Sequence, residues 1–108
     1  MTISMHPRMR SRLDRIERER TLAADRAFLT SIDEVETLAT TMESQIGRSL
    51  TEAVLDTCRV LRRSMDTHDP DSPAGAIIRR FLPLRLDELR LVCQESAVML
   101  SERQLADA

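Results

Sequence analysis

The 108-residue chain contains no tryptophan, tyrosine, lysine or asparagine, and its only aromatic residues are Phe28 and Phe81. Strands draw on β-branched and aromatic runs, which are absent here, so the core must be aliphatic and packed helix on helix. Two glycines, Gly47 and Gly75, are too few for the turns of an all-β fold. The net charge of −2 excludes a strong whole-protein field for nucleic acid. Cys58 and Cys93 are too few for a disulfide framework. They read as small buried hydrophobes, with a bridge open to them only if their helices touch. No stretch approaches the roughly 18 apolar residues of a membrane span, and residues 1–10 carry no apolar run of a signal peptide. The expected location is cytoplasmic.

Metal and cofactor chemistry also lacks its usual ligands. His6 and His68 lie far apart, and neither has a second His or Cys at ligand spacing. Asp66, Asp69 and Asp71 cluster without the glycine turn and closing glutamate of a calcium loop. There is no glycine-rich phosphate cradle and no serine elbow. The six methionines lie mostly at core spacing. We expect no metal, no cofactor and no catalytic centre.

What is present is helical periodicity. Met9, Leu13, Ile16, Ala23 and Ala27 recur at steps of three and four and predict a first helix to about Leu29, its narrow stripe interrupted by Arg20. Ser31 with Glu34 has the spacing of a capping box, which places a boundary at Thr30-Ser31. Ile32, Val35, Leu38, Ala39, Met42 and Ile46 then form one face, and Leu50, Val54, Cys58, Leu61 and Met65 continue it. Gly47, with a second box at Ser49 and Glu52, marks a place to kink. The spacing predicts one long helix from Ser31 to Met65, about 50 Å in length. Residues 66–72 form a loop, because a residue before proline avoids helix. Ser72 and Pro73 then suit the cap and first position of a new helix. That helix carries Ile77, Ile78 and Phe81 and is broken or kinked by Pro83. A last helix from about Leu84 to Leu105 has Leu86, Leu89, Val92, Cys93, Ala97, Met99 and Leu100 on its apolar face.

The sequence thus predicts an all-α fold. It is a single domain, 1–108, with an Arg-rich first helix over 1–30 and a helical core over 31–108. Three to four helices form a small bundle around a long antiparallel pair joined at the His68 loop. A long stripe on so short a chain points to a protein partner or to a homodimer. Ile32, Val35, Met42, Ile46, Leu86 and Leu89 are the candidate interaction face.

Two other constellations carry chemistry. His68-Asp69-Pro70-Asp71-Ser72-Pro73, with Ile77 four residues on, resembles the phosphoacceptor box of histidine kinase dimerisation domains and histidine phosphotransferases. That resemblance implies His68 as a phosphorylated nucleophile and Asp69 as its partner, since neutral imidazole is nucleophilic near neutral pH. Pro70 departs from the box, because it lies where those families keep helix. The second is the arginine group of the first helix. Arg8, Arg12 and Arg15 are its candidate phosphate or nucleic-acid contacts, interleaved with Asp14, Glu17 and Glu19. Pairs four apart, such as Asp14 with Arg18, make a solvated self-paired face the first reading and nucleic-acid contact the second.

The half of the chain from about Thr51 to Ser101 resembles the 5-bromo-4-chloroindolyl phosphate hydrolysis and toxic-anion (tellurite) resistance family. The resemblance rests on Ile77-Ile78-Arg79-Arg80-Phe81-Leu82-Pro83 followed by Leu86 and Leu89. It implies a helix, a polar loop, a short helix ending in an aromatic-Leu-Pro corner, and a leucine-rich helix. Phe81 with Leu86 would close that corner. The tyrosines usual in the family are missing, and it supplies no catalytic residue to carry over.

Overall fold

The computed structural model describes the backbone of residues 7–107 and the side chains of residues 11–106. Four helices follow one another: α1 (Pro7–Thr41), the single turn α2 (Glu43–Ile46), α3 (Arg48–Thr67) and α4 (Pro73–Asp107). No strand occurs among the described residues. The all-α expectation holds, but the helix boundaries differ from those predicted.

The first difference is at Thr30-Ser31, where α1 runs straight through. The Ser31 hydroxyl donates to the carbonyl of Ala27 at 3.0 Å instead of capping a new helix. Thr21, Thr30, Thr37 and Thr40 donate to the carbonyl four residues back in the same way. A hydroxyl bonded to the carbonyl one turn back is not available to cap a new helix. The chain reverses instead at Met42–Gly47. Gly47 has φ 90° and ψ 154°, a region that essentially only glycine occupies. The second predicted capping box does not form either, and Glu52 pairs with Arg48 at 3.1 Å. The backbone donors at the corner are met locally, from Ile46 to Met42 at 2.9 Å and from Gly47 to Glu43 at 2.8 Å. The long helix predicted over 31–65 is therefore two helices folded back on each other.

α1 and α3 run antiparallel. Arg62 of α3 reaches across to both Asp33 and Glu36 of α1. Burial works against the charge on Arg62, but the hydrogen bond to Glu36 and the two carboxylate charges outweigh it, so its pKa is raised. The hydroxyl of Thr51, buried, lies 3.0 Å from the carbonyl of Gly47 and 3.4 Å from that of Ala39. α4 runs antiparallel to α3 across the 68–72 loop and parallel to α1. Ala24, Ala27 and Ser31 share a groove with Pro83, Leu86 and Arg90.

One continuous core fills the space between the three long elements. α1 contributes Phe28, Ile32, Val35 and Ala39, and the corner contributes Ile46. α3 contributes Val54, Cys58, Leu61 and Met65, and α4 contributes Leu82, Leu86, Leu89, Cys93 and Ala97. Burying one such aliphatic side chain fully stabilises the fold by about 1.5–3 kcal/mol.

The corner expected at Pro83 is absent. α4 is helical on both sides of it, Phe81 is exposed, and Leu86 is buried in the core. Pro83 is exposed and borders the same grooves as Ala24 and Phe28 of α1, and the helix continues through it.

The helices are staggered. At 35 residues each, α1 and α4 extend well beyond the 20-residue α3, and the molecule measures 75 × 24 × 19 Å. The start of α1 projects past the 68–72 loop, and the end of α4 projects past the Met42–Gly47 corner.

Candidate interaction surface

The six residues predicted as an interaction face are spent inside the chain. Ile32, Val35, Ile46, Leu86 and Leu89 belong to the core, and Met42 packs against it half-buried. The reason is the corner at Gly47. By folding the predicted long helix in two, it turns the stripe that was read as intermolecular into the contact between α1, α3 and α4.

His68 is the C-cap of α3, with extended backbone, and is half-buried. Its Nδ1 lies 2.9 Å from the carbonyl of Ser64, so the ring closes the last turn of α3. Asp69 is engaged in the loop itself. Its Oδ1 accepts from the backbone N–H of Asp71 at 2.9 Å, and its carbonyl accepts from the Ser72 hydroxyl at 2.7 Å. The phosphoacceptor box needs His and acid side by side on an exposed helix face, whereas here the pair finishes one helix and starts the next. The expected cap of α4 does form, with the Gly75 N–H donating to Ser72 Oγ at 2.9 Å.

The residue that organises this loop is Arg79, which the sequence reading did not single out. Its Nε donates to Asp25 at 3.1 and 3.3 Å, and Nη1 donates to the carbonyls of His68 at 2.9 Å and Gly75 at 3.3 Å. Nη2 reaches the carbonyl of Met65 at 3.4 Å. One planar fork thus ties α1, the end of α3 and the start of α4 together, and serves the carbonyls of Met65 and His68 that the end of α3 leaves open. Gly75 is required beside it, because a Cβ there would stand 1.8 Å from the carbonyl oxygen of Asp69.

The exposed apolar surface lies elsewhere. On α4, Ile77, Leu84, Leu91, Val98 and Leu105 are each more than half exposed and recur every seven residues. At 3.6 residues per turn these five share one stripe, on the side of α4 opposite Leu82, Leu86, Leu89 and Cys93. Val92 and Met99, expected in the core, are exposed beside it. Glu88, Glu95 and Glu102, also seven apart and all exposed, line one flank of the stripe. Near its end a groove of about 570 Å³ opens between α4 and the corner, with Ile46, Leu50, Met99 and Ala106 among its walls. The seven-residue repeat was present in the sequence, but the broader inward pattern that overlaps it obscured it.

At the other end, residues 11–20 are exposed throughout. Arg12 and Arg15 are on this projecting segment, and the side chain of Arg8 lies outside the described residues. Leu13 and Ile16 are 43 % and 45 % exposed, a large share for aliphatic side chains. They continue the line of Ala27 and Ser31 that borders α4 higher up.

Both cysteines are free, with no exposed surface. Burial pushes the Cys58 thiol up to about 11, with a smaller contribution from the Glu36 charge, and burial also raises Cys93. Neither is a poised nucleophile. No group of His, Cys, Asp and Glu able to hold a metal occurs among the described residues, and no described helix is long and apolar enough to cross a membrane. No protein-family model, curated protein or solved structure matches the chain.

Proposed function

We propose that this chain is a non-catalytic helical assembly module that acts in the cytoplasm by self-association. The observation that carries the reading is the two-faced character of α4. A helix with aliphatic residues on one stripe buries that stripe and solvates the rest; a helix with two opposed stripes has a second face to hide. The inward face is covered by α1 and α3, while Ile77, Leu84, Leu91, Val98 and Leu105 face water. One aliphatic residue every seven supplies one of the two positions per repeat by which paired helices meet, and Arg80, Asp87, Gln94 and Ser101 stand at the other, so the stripe is narrow and polar-bordered.

Sedimentation equilibrium from 1 to 200 µM tests the reading. The chain is expected to self-associate in this range, and Leu91→Glu, placed at the middle of the exposed stripe, is expected to shift it to monomer with its helical circular dichroism intact. A fully folded monomer at every concentration would overturn the proposal.

A further inference from the structure

Resting on that self-association, we infer that the stripe on α4 receives the projecting start of α1 from a second copy, and that two copies exchange these segments reciprocally. The flank of the stripe decides between occupants. Glu88, Glu95 and Glu102 recur along it at the spacing of the stripe itself. Two α4 helices laid antiparallel along this seam bring like flanks together, so Glu88 of each would face Glu95 of the other. Laid parallel, Glu88 would lie near Asp87 of the other copy. The antiparallel arrangement sets carboxylate against carboxylate, and the parallel one leaves Glu95 and Glu102 near Gln94 and Ser101; Arg85 and Arg90 are already paired with Glu88 and Asp87 within the chain, so neither arrangement brings Glu95 and Glu102 a basic partner. The seam calls for an amphipathic helix with basic borders.

The chain carries one such segment. Residues 7–20 hold six arginines against three acids, with Leu13 and Ile16 as exposed apolar anchors. By helical spacing Arg12 borders Ile16 on one side, and Arg20 follows Ile16 by four residues on the same stripe. Asp14 and Glu17 fall toward the other side, and Glu19 lies between Arg12 and Arg15. The loop at Pro70 and Asp71 reaches only the level of Arg18 and Leu22, so the segment before it projects clear. The opposite end of the molecule has the opposite sign. Residues 43–52 and 94–107 together hold five acids and two arginines.

Lengths are compatible as well. The eleven clear residues of α1, 7–17, span about 16 Å, most of the roughly 21 Å from Leu91 to Leu105 on α4. The basic and acidic ends lie at opposite ends of a 75 Å molecule. Two copies side by side and antiparallel therefore bring each basic segment onto the other copy's acidic seam. The exchange closes on itself as a two-fold dimer, where a one-way contact would propagate into a fibre.

Two full-length variants test this. One carries Arg12→Glu and Arg15→Glu, and the other carries Glu95→Arg and Glu102→Arg; all four positions are exposed, so both variants should fold. Sedimentation equilibrium in low salt is expected to show a wild-type dimer whose dissociation constant rises about tenfold or more at 0.5 M salt. Each variant alone is expected to dissociate at least tenfold more readily than wild type. Mixed one to one, they are expected to form a heterodimer within a few-fold of wild-type affinity, since both exchanged contacts then join opposite charges. If the variants alone dimerise like wild type, or the mixture stays as weak as its parts, α1 is not the occupant, although self-association through α4 survives. A wild type that never associates sinks both readings. A higher polymer in place of the dimer overturns the reciprocal exchange.

Discussion

Replacing Arg79 by methionine should destabilise the fold more than any other single change at a charged position. The side chains of Arg79 and Asp25 are 14 % and 19 % exposed. Methionine keeps much of the aliphatic stem and removes the fork, leaving the Asp25 carboxylate half-sheltered without its counter-charge. Breaking a fully buried ion pair from one side costs roughly 3–5 kcal/mol, and the remaining solvent contact lowers this to about 2–3 kcal/mol. Lost donors to the carbonyls of His68, Gly75 and Met65 contribute about 1 kcal/mol more, because water reaches some of them after the loop loosens. The sum, about 3–4 kcal/mol, is a large share of the stability of a domain this size. It corresponds to a fall in Tm on the order of 10–20 °C. Thermal and urea unfolding followed by circular dichroism measure the loss. Asp25→Asn, which keeps a neutral acceptor, should cost about 1 kcal/mol. The double variant should cost less than the two singles combined, because the stranded carboxylate is then absent. Arg79→Lys should recover little, since a point charge cannot serve four partners in a plane. An Arg79→Met variant within about 0.5 kcal/mol of wild type, or strict additivity with Asp25→Asn, would refute the role given to this fork.

Other positions give equally specific expectations. Gly75→Ala forces a Cβ into the Asp69 carbonyl and should cost about 1–3 kcal/mol in urea unfolding, with the loss of protection concentrated at the Gly75 and Ala76 amides. Gly47→Ala meets open space but a backbone conformation alien to alanine, and should cost about 1–3 kcal/mol without disturbing the core. Pro83→Ala restores a donor within α4 and should raise stability by about 1–2 kcal/mol, read as a higher Tm. The raised Cys58 and Cys93 thiols mean that the folded chain holds these protons more tightly than the unfolded chain. Their contribution is therefore complete below about pH 9 and drains away as pH climbs toward 11, by about 1–3 kcal/mol in a denaturation series. At neutral pH, alkylation of both thiols by iodoacetamide should proceed only as fast as the fold opens.

The sequence carried most of the core and the wrong account of its use. Ile32, Val35, Ala39, Val54, Cys58, Leu61, Leu86, Leu89 and Cys93 were all readable from periodicity, because a buried helical face repeats at three and four whatever it packs against. Where the chain turns was not readable from the same pattern. The stripe stays in phase across Gly47, so periodicity alone joins what the backbone there separates. Ser31 and Thr30 look like boundary residues until the hydroxyls are seen to bond within their own helix. Pro83 looks like a corner until the helix is seen to continue through it. Arg79 was one arginine among sixteen, and only the juxtaposition of Asp25, fifty-four residues earlier, distinguishes it. His68 and Asp69 drew attention as a pair, and the structure puts both to work in the loop between α3 and α4.

The stagger of the helices has a consequence for measuring this molecule. Cooperative melting reports on what the core holds together, roughly residues 25–97, where every fully shielded aliphatic side chain resides. Within one copy the first and last turns contribute almost nothing to that transition, so the charges and aliphatics they carry leave the melt of an isolated chain unmoved. Were two copies to pair through those tails as proposed, they would enter the melt only as a Tm that climbs with protein concentration.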